Sequence, residues 1–206
     1  MTGNARSLED AANEIMPLNL DAARGAIMES CREYIRLADL FSCRLESVVP
    51  QDLHKFARAF SLTLLGHLPT RPNTCPFCIQ YGHDRACTGC GYAATHGRCD
   101  ADDSAFSLFI ESYQELGRLI FQEIDGPAKS ICDAKETRQQ LLSAIQASVR
   151  LAEQMQVKLP ALSALHLMQE KQRYISLMIE QLPLSLLSVD VARQLQHLQE
   201  KLKRYW

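Results

Sequence analysis

Apolar residues recur along most of this chain with the period of an α-helix. Over Leu20–Val49, the positions Ile27, Cys31, Tyr34, Ala38, Phe41, Leu45 and Val48 follow one another at steps of four and three, which places them on one helix face. Pro50 ends this helix or opens the next, and Asp52 suits a first turn. Leu53, Phe56, Phe60 and Leu64 mark a second helix to about Leu68. A third carries Phe106, Phe109, Ile110, Tyr113, Leu116, Ile120 and Ile124. Asp102, Asp103 or Ser104 caps it, and Asp125-Gly126-Pro127 stops it. Three more helices are predicted after that. Asp133 with Glu136 reads as a capping box ahead of Leu141, Ile145, Val149, Ala152, Met155 and Leu159. Pro160 separates this helix from the set Leu165, Met168, Ile175, Ile179 and Leu182. Pro183 separates that set from Val191, Leu195, Leu198, Leu202 and Tyr205, whose spacing is a short heptad seam that packs internally or pairs two chains.

No stretch shows the alternation of a strand, so the fold class is all-α, a helical bundle. One segment breaks the pattern. Pro69, Thr70, Arg71, Pro72 and Asn73 punctuate the chain, and the next residues, TCPFCIQYGHDRACTGCGYAATHGRCD from Thr74 to Asp100, hold five of the eight cysteines and no helical stripe. The expectation is a small irregular zinc-knuckle insert between the second and third helices. By domains, 1–125 is a helical unit carrying this cysteine segment at about 70–100. Residues 126–206 form a helical hairpin or three-helix unit, either separate or continuous with the first.

Composition narrows the functional classes. With 206 residues, 47% apolar and 22% charged, the chain can bury a core without help from a metal. A net charge of −2 supplies no basic field for nucleic acid or anionic membrane. No apolar run is long enough for a membrane span. The first twenty residues contain Glu9, Asp10 and Glu14 and no apolar signal-like core. The compartment expected is therefore the reducing cytoplasm, where grouped cysteines bind metal more often than they pair as disulfides.

The cysteines are spaced Cys75-x2-Cys78, then Cys87-x2-Cys90, then Cys99. A two-residue gap lets both thiolates of a pair face one ion, and two pairs complete a tetrahedron around Zn²⁺. The ligands expected are Cys75, Cys78, Cys87 and Cys90, with Cys99 and His96 as alternates; His83 is read as a polar loop residue and His67 as an outside candidate. Cys87-Thr-Gly-Cys90-Gly91-Tyr92 resembles a rubredoxin-type or zinc-ribbon knuckle, in which glycine after the second cysteine turns with positive φ and directs amides at sulfur. The eight residues between the pairs are fewer than such sites usually have. Four thiolates on Zn²⁺ leave a charge of −2, for which Arg85 and Arg98 are the nearby cations.

Two other chemistries fit parts of the segment. Five cysteines can hold an iron–sulfur cluster, although the spacing matches no usual ferredoxin run. Cys75-Pro-Phe-Cys78 also looks like a glutaredoxin redox motif, but that chemistry needs a preceding strand, and GHLPTRPN reads as none. Cys31 lies on an apolar stripe and reads as a small buried hydrophobe, Cys43 lies off it, and Cys132 sits at a turn. No phosphate loop, nucleophile elbow or H-E-x-x-H is present. The functional expectation is a zinc-stabilised helical protein that binds another protein or itself, as an interaction, regulatory or assembly factor without catalysis. The alternatives are an iron–sulfur or metal-dependent enzyme and a nucleic-acid-binding regulator. The latter has only three arginines and no lysine between Arg71 and Asp100 to build on.

Overall fold

A computed structural model of the chain describes residues 7–82, 87, 89–123 and 134–205, apart from the side chains of 94 and 95. The expectations that rest on His83, Arg85, Ile124, Asp125-Gly126-Pro127, Cys132 and the Asp133 cap lie outside the described residues.

The described residues are helical and contain no strand. The helices are α1 (Leu8–Asn13), α2 (Pro17–Leu45), α3 (Leu53–Gly66), α4 (Pro76–Tyr81), α5 (Tyr92–His96), α6 (Ala105–Gln122), α7 (Ala134–Lys158), α8 (Ala164–Ile179) and α9 (Val189–Tyr205). The six long helices coincide with the six apolar stripes. Two details of capping follow local chemistry: Pro17 fills the first turn of α2, and Ser104, the last of three candidates, caps α6 by accepting from the Ser107 amide at 3.0 Å.

Two helix pairs form the frame. The first is α2 against α7. The Arg24 guanidinium donates to Leu162 O, Tyr34 Oη donates to Ser148 Oγ at 2.6 Å, and Arg138 donates to Val48 O at 2.6 Å, so the two helices run antiparallel. The second is α6 against α9, also antiparallel. Phe106 and Phe109 reach Tyr205 at one end, and Glu123 accepts from the Ser188 amide at the other. Val191, Leu195, Leu198, Leu202 and Tyr205 are all buried within the chain, so the heptad seam takes the first of its two readings and is filled internally. One hydrophobic core joins residues from Ala11 to Tyr205. Each large side chain fully buried there, such as Phe60, Phe109 or Leu116, contributes roughly 1.5–3 kcal/mol.

Cys31 sits in this core as expected. Its S–H donates to Tyr174 Oη at 3.8 Å, and burial pushes the thiol up to about 11. Cys43 is exposed. Brief alkylation of the folded protein near pH 8 is expected to modify Cys43 and spare Cys31, as read by peptide mapping. Equal labelling of the two would contradict the α2–α8 packing. No helix among the described residues is long and apolar enough to cross a membrane.

Candidate functional site

The cysteine segment is more regular than the irregular insert that its spacing predicts. A 3-10 turn, Pro72–Thr74, is pinned by the Thr74 hydroxyl, which donates to Arg71 O at 2.6 Å with Pro69 O at 2.9 Å. Cys75 then caps α4, whose first position is Pro76, the residue best suited to start a helix. The helix α1, too short to leave a stripe in the sequence, clasps α4 from outside. Tyr81 Oη donates to Ala11 O at 3.0 Å and Gln80 Nε2 to Glu14 O at 3.0 Å. Gln80 Oε1 accepts from the Met16 amide and from Asn19 Nδ2, at 3.0 and 2.6 Å.

The second cysteine pair forms a turn in which the Cys90 amide donates to Cys87 O at 3.0 Å. Gly91 has φ of +71°, as the knuckle resemblance implies. The amides of Tyr92 and Ala93, at the start of α5, are directed at the Cys90 sulfur.

Cys75, Cys78, Cys90 and Cys99 line one small pocket. Met168 and Lys171 from α8, Phe106 from α6, Tyr92 from α5 and Tyr205 from α9 close it. The room left between these side chains is about 20 Å³, close to that of one water-sized sphere. Of the five cysteines in the segment, Cys87 is half-buried and does not line the pocket. His96 does not line it either; its ring stacks on Tyr92, with centroids 4.4 Å apart and planes 10° apart. Arg98 pairs with Asp100 at 2.6 Å on the surface, and His67 is turned to Thr63 O at 2.8 Å, away from the pocket.

The cation that does face the sulfurs is one that the sequence reading passed over. Lys171 is 1% exposed. Its ammonium donates to Thr74 O at 3.4 Å and lies 5.8 Å from the Tyr205 ring centroid. No carboxylate of a described residue pairs with it. Burial pushes the ammonium below the usual lysine range, while charge on Cys75, Cys78 and Cys99 pulls it back up. The signal was present in the sequence as a gap: Lys171 occupies the helix face between Met168 and Ile175, where an apolar residue belongs.

The surroundings of Cys75, Cys78 and Cys90 hold each of these thiols above the ordinary thiol range. Cys75 is held well above the usual thiol range, first by its hydrogen bond to Cys78 and then by burial. At Cys78 the bond to Cys75 pulls down, but the bond to Cys99 and burial outweigh it and leave the thiol at about 12. Burial lifts Cys90 to about 11 against the pull of its two amides. Cys75, Cys78 and Cys99 are linked in series by hydrogen bonds, and Cys90 takes its bonds from backbone amides. Among the described residues, no three histidine, cysteine or carboxylate groups stand in a metal-holding arrangement, and the zinc-knuckle insert expected from the spacing is not seen as such.

The pocket also carries a structural tie. Tyr92 Oη donates to Tyr205 O at 2.7 Å in a buried setting. Tyr92→Phe leaves that carbonyl without its donor and is expected to cost about 1–3 kcal/mol in denaturant unfolding. An unchanged midpoint would show that water replaces the hydroxyl.

Set against protein-family models, curated proteins and solved structures, the chain matches none of them.

Proposed function

We propose that the protein is a non-enzymatic helical scaffold whose cysteine segment is locked by a zinc ion, and that its role is to bind another macromolecule as an adaptor, regulator or assembly factor. The observation that carries this reading is Lys171, a fully buried lysine that lines the pocket beside four cysteines and pairs with no carboxylate of a described residue. A buried cation without a counter-charge costs several kcal/mol. Thiolates on a metal ion supply that counter-charge, and neutral thiols do not. The amides directed at Cys90 act in the same sense, because N–H donors favour sulfur in its anionic form.

The thiols are poor candidates for redox catalysis. Cys75 does stand at the start of a helix, but no strand among the described residues precedes it, as a thiol-redox motif of this kind requires. The narrow space between the sulfurs suits one ion better than an iron–sulfur cluster of several atoms. The interaction half of the proposal draws on Phe121 and Val189, large apolar residues 69% and 75% exposed at neighbouring ends of α6 and α9. Burial of the α9 seam makes a partner other than a second copy paired through that seam the preferred one.

Metal analysis and a visible spectrum of anaerobically purified protein test the metal half. A colourless protein with one zinc per chain is the expected result, and a brown protein containing iron and sulfide would install the iron–sulfur alternative. For the interaction half, a strict monomer that retains no protein partner would defeat it. Salt-sensitive retention on DNA or RNA would favour the nucleic-acid reading instead.

A further inference from the structure

The pairwise reading of the spacing makes both cysteines of each C-x-x-C into ligands, and the pocket groups them otherwise. Cys75, Cys78, Cys90 and Cys99 share its lining, and Cys87 does not. Tyr92 and the buried Lys171 share that lining with the same four sulfurs. The backbone accounts for the exchange. The chain turns at Cys87 with φ of +49°, and Gly89 and Gly91 follow at +83° and +71°. Cys90, between the two glycines, is 5% exposed, while Cys87 is half-buried outside the pocket. Cys99 comes to the pocket from the other side, on the stretch between α5 and the Ser104 cap of α6. Gly97, with φ of +78°, brings that stretch close to Ser104.

Resting on the metal reading above, we infer that a single zinc-type ion is held by Cys75, Cys78, Cys90 and Cys99, with Lys171 as its buried counter-charge and Cys87 outside the ligand set. Each ligand thiol gives up its proton to solvent as the ion enters, so four S–H bonds are replaced by four metal–sulfur bonds and no oxidant or reductant is involved. Two sulfurs on a tetrahedral ion with bonds of about 2.3 Å lie about 3.8 Å apart.

Cobalt is the probe, because tetrahedral Co²⁺ is coloured and its sulfur charge-transfer absorption grows with the number of thiolates bound. Full-length wild type, Cys87→Ser and Cys99→Ser are titrated with Co²⁺ under anaerobic conditions, and bound zinc is measured separately on each. Cys87→Ser is expected to bind one ion with the full wild-type charge-transfer intensity. Cys99→Ser is expected to lose about a quarter of that intensity, or the ion altogether. Should Cys99→Ser fail to fold, the zinc-loaded wild type is alkylated and mapped instead, with Cys87 modified and the other four cysteines of the segment protected. A Cys87→Ser variant that loses intensity while Cys99→Ser keeps it overturns the assignment, as does protection of Cys87 with modification of Cys99. Failure of the wild type to bind either ion overturns the underlying metal reading, which separates the two failures.

Discussion

Lys171→Met is expected to destabilise the zinc-loaded protein by about 3–5 kcal/mol, the usual consequence of leaving one half of a buried charge pair uncompensated. Methionine matches lysine in length and fits the apolar neighbours Met168 and Tyr205, so the loss would not come from a cavity. For a domain of this size the melting temperature would fall by roughly 6–20 °C. The sign is the informative part. With a chelator present and the thiols protonated, the ammonium has no anionic partner, and its removal relieves a desolvation cost. The same substitution is then expected to be neutral or stabilising. Calorimetry of both proteins with and without chelator reads this directly. An identical effect in the two conditions would show that Lys171 is held for reasons unrelated to charge on the sulfurs.

Gly91→Ala is expected to cost about 3 kcal/mol or more, by two independent routes. The residue has φ of +71°, where an L-side chain is strained by about 1–3 kcal/mol. A Cβ there would also lie 2.8 Å from both Leu8 Cα and Ser7 O, backbone atoms that cannot move aside as a flexible side chain can. Relief requires α1 to shift away from α4, which loosens the bonds from Ala11, Glu14, Met16 and Asn19 to Gln80 and Tyr81. Gly117→Ala is the control. Its Cβ meets nothing within 4 Å on a regular helix, and the change is expected to stabilise by about 0.5–1 kcal/mol. Thermal unfolding of the two variants beside wild type should therefore move in opposite directions. Equal shifts would mean that α1 does not seat on Gly91.

The long helices were legible in the sequence because each buries one face, and burial of one face writes a period of three and four. Val191, Leu195, Leu198, Leu202 and Tyr205 are the clearest case, and all five are buried. Where the face is mixed, the pattern is less exact. In α7 the buried position is Ser148 rather than neighbouring Val149, since the Ser148 hydroxyl accepts from Tyr34 and donates to Ile145 O. In α8, Ala164 and Leu167 turn inward while Leu165 is half-buried. The helices α1, α4 and α5 were missed because five or six residues are too few to show any period, and their positions depend on contacts such as that of Gly91 with Ser7 and Leu8, which link distant parts of the chain. For the candidate site, spacing located the segment and three of the four pocket sulfurs. It put Cys87 ahead of Cys99, whereas Cys99 lines the pocket and Cys87 does not, a difference that depends on the left-handed backbone at Cys87, Gly89 and Gly91. Nor could it supply Lys171, Tyr92 and Tyr205, two of which lie on α8 and α9.

The presence of Tyr205 in the wall of the cysteine pocket sets an order of events during synthesis. The last of the five clustered cysteines leaves the ribosome well before α8 and α9 exist, and at roughly 5–20 residues per second that interval amounts to several seconds. Through that time the thiols have neither the lysine nor the tyrosine that later encloses them. The nascent chain therefore passes through a stage in which its cysteines are open to any ion or oxidant at hand, and the finished pocket closes only when the final helix docks.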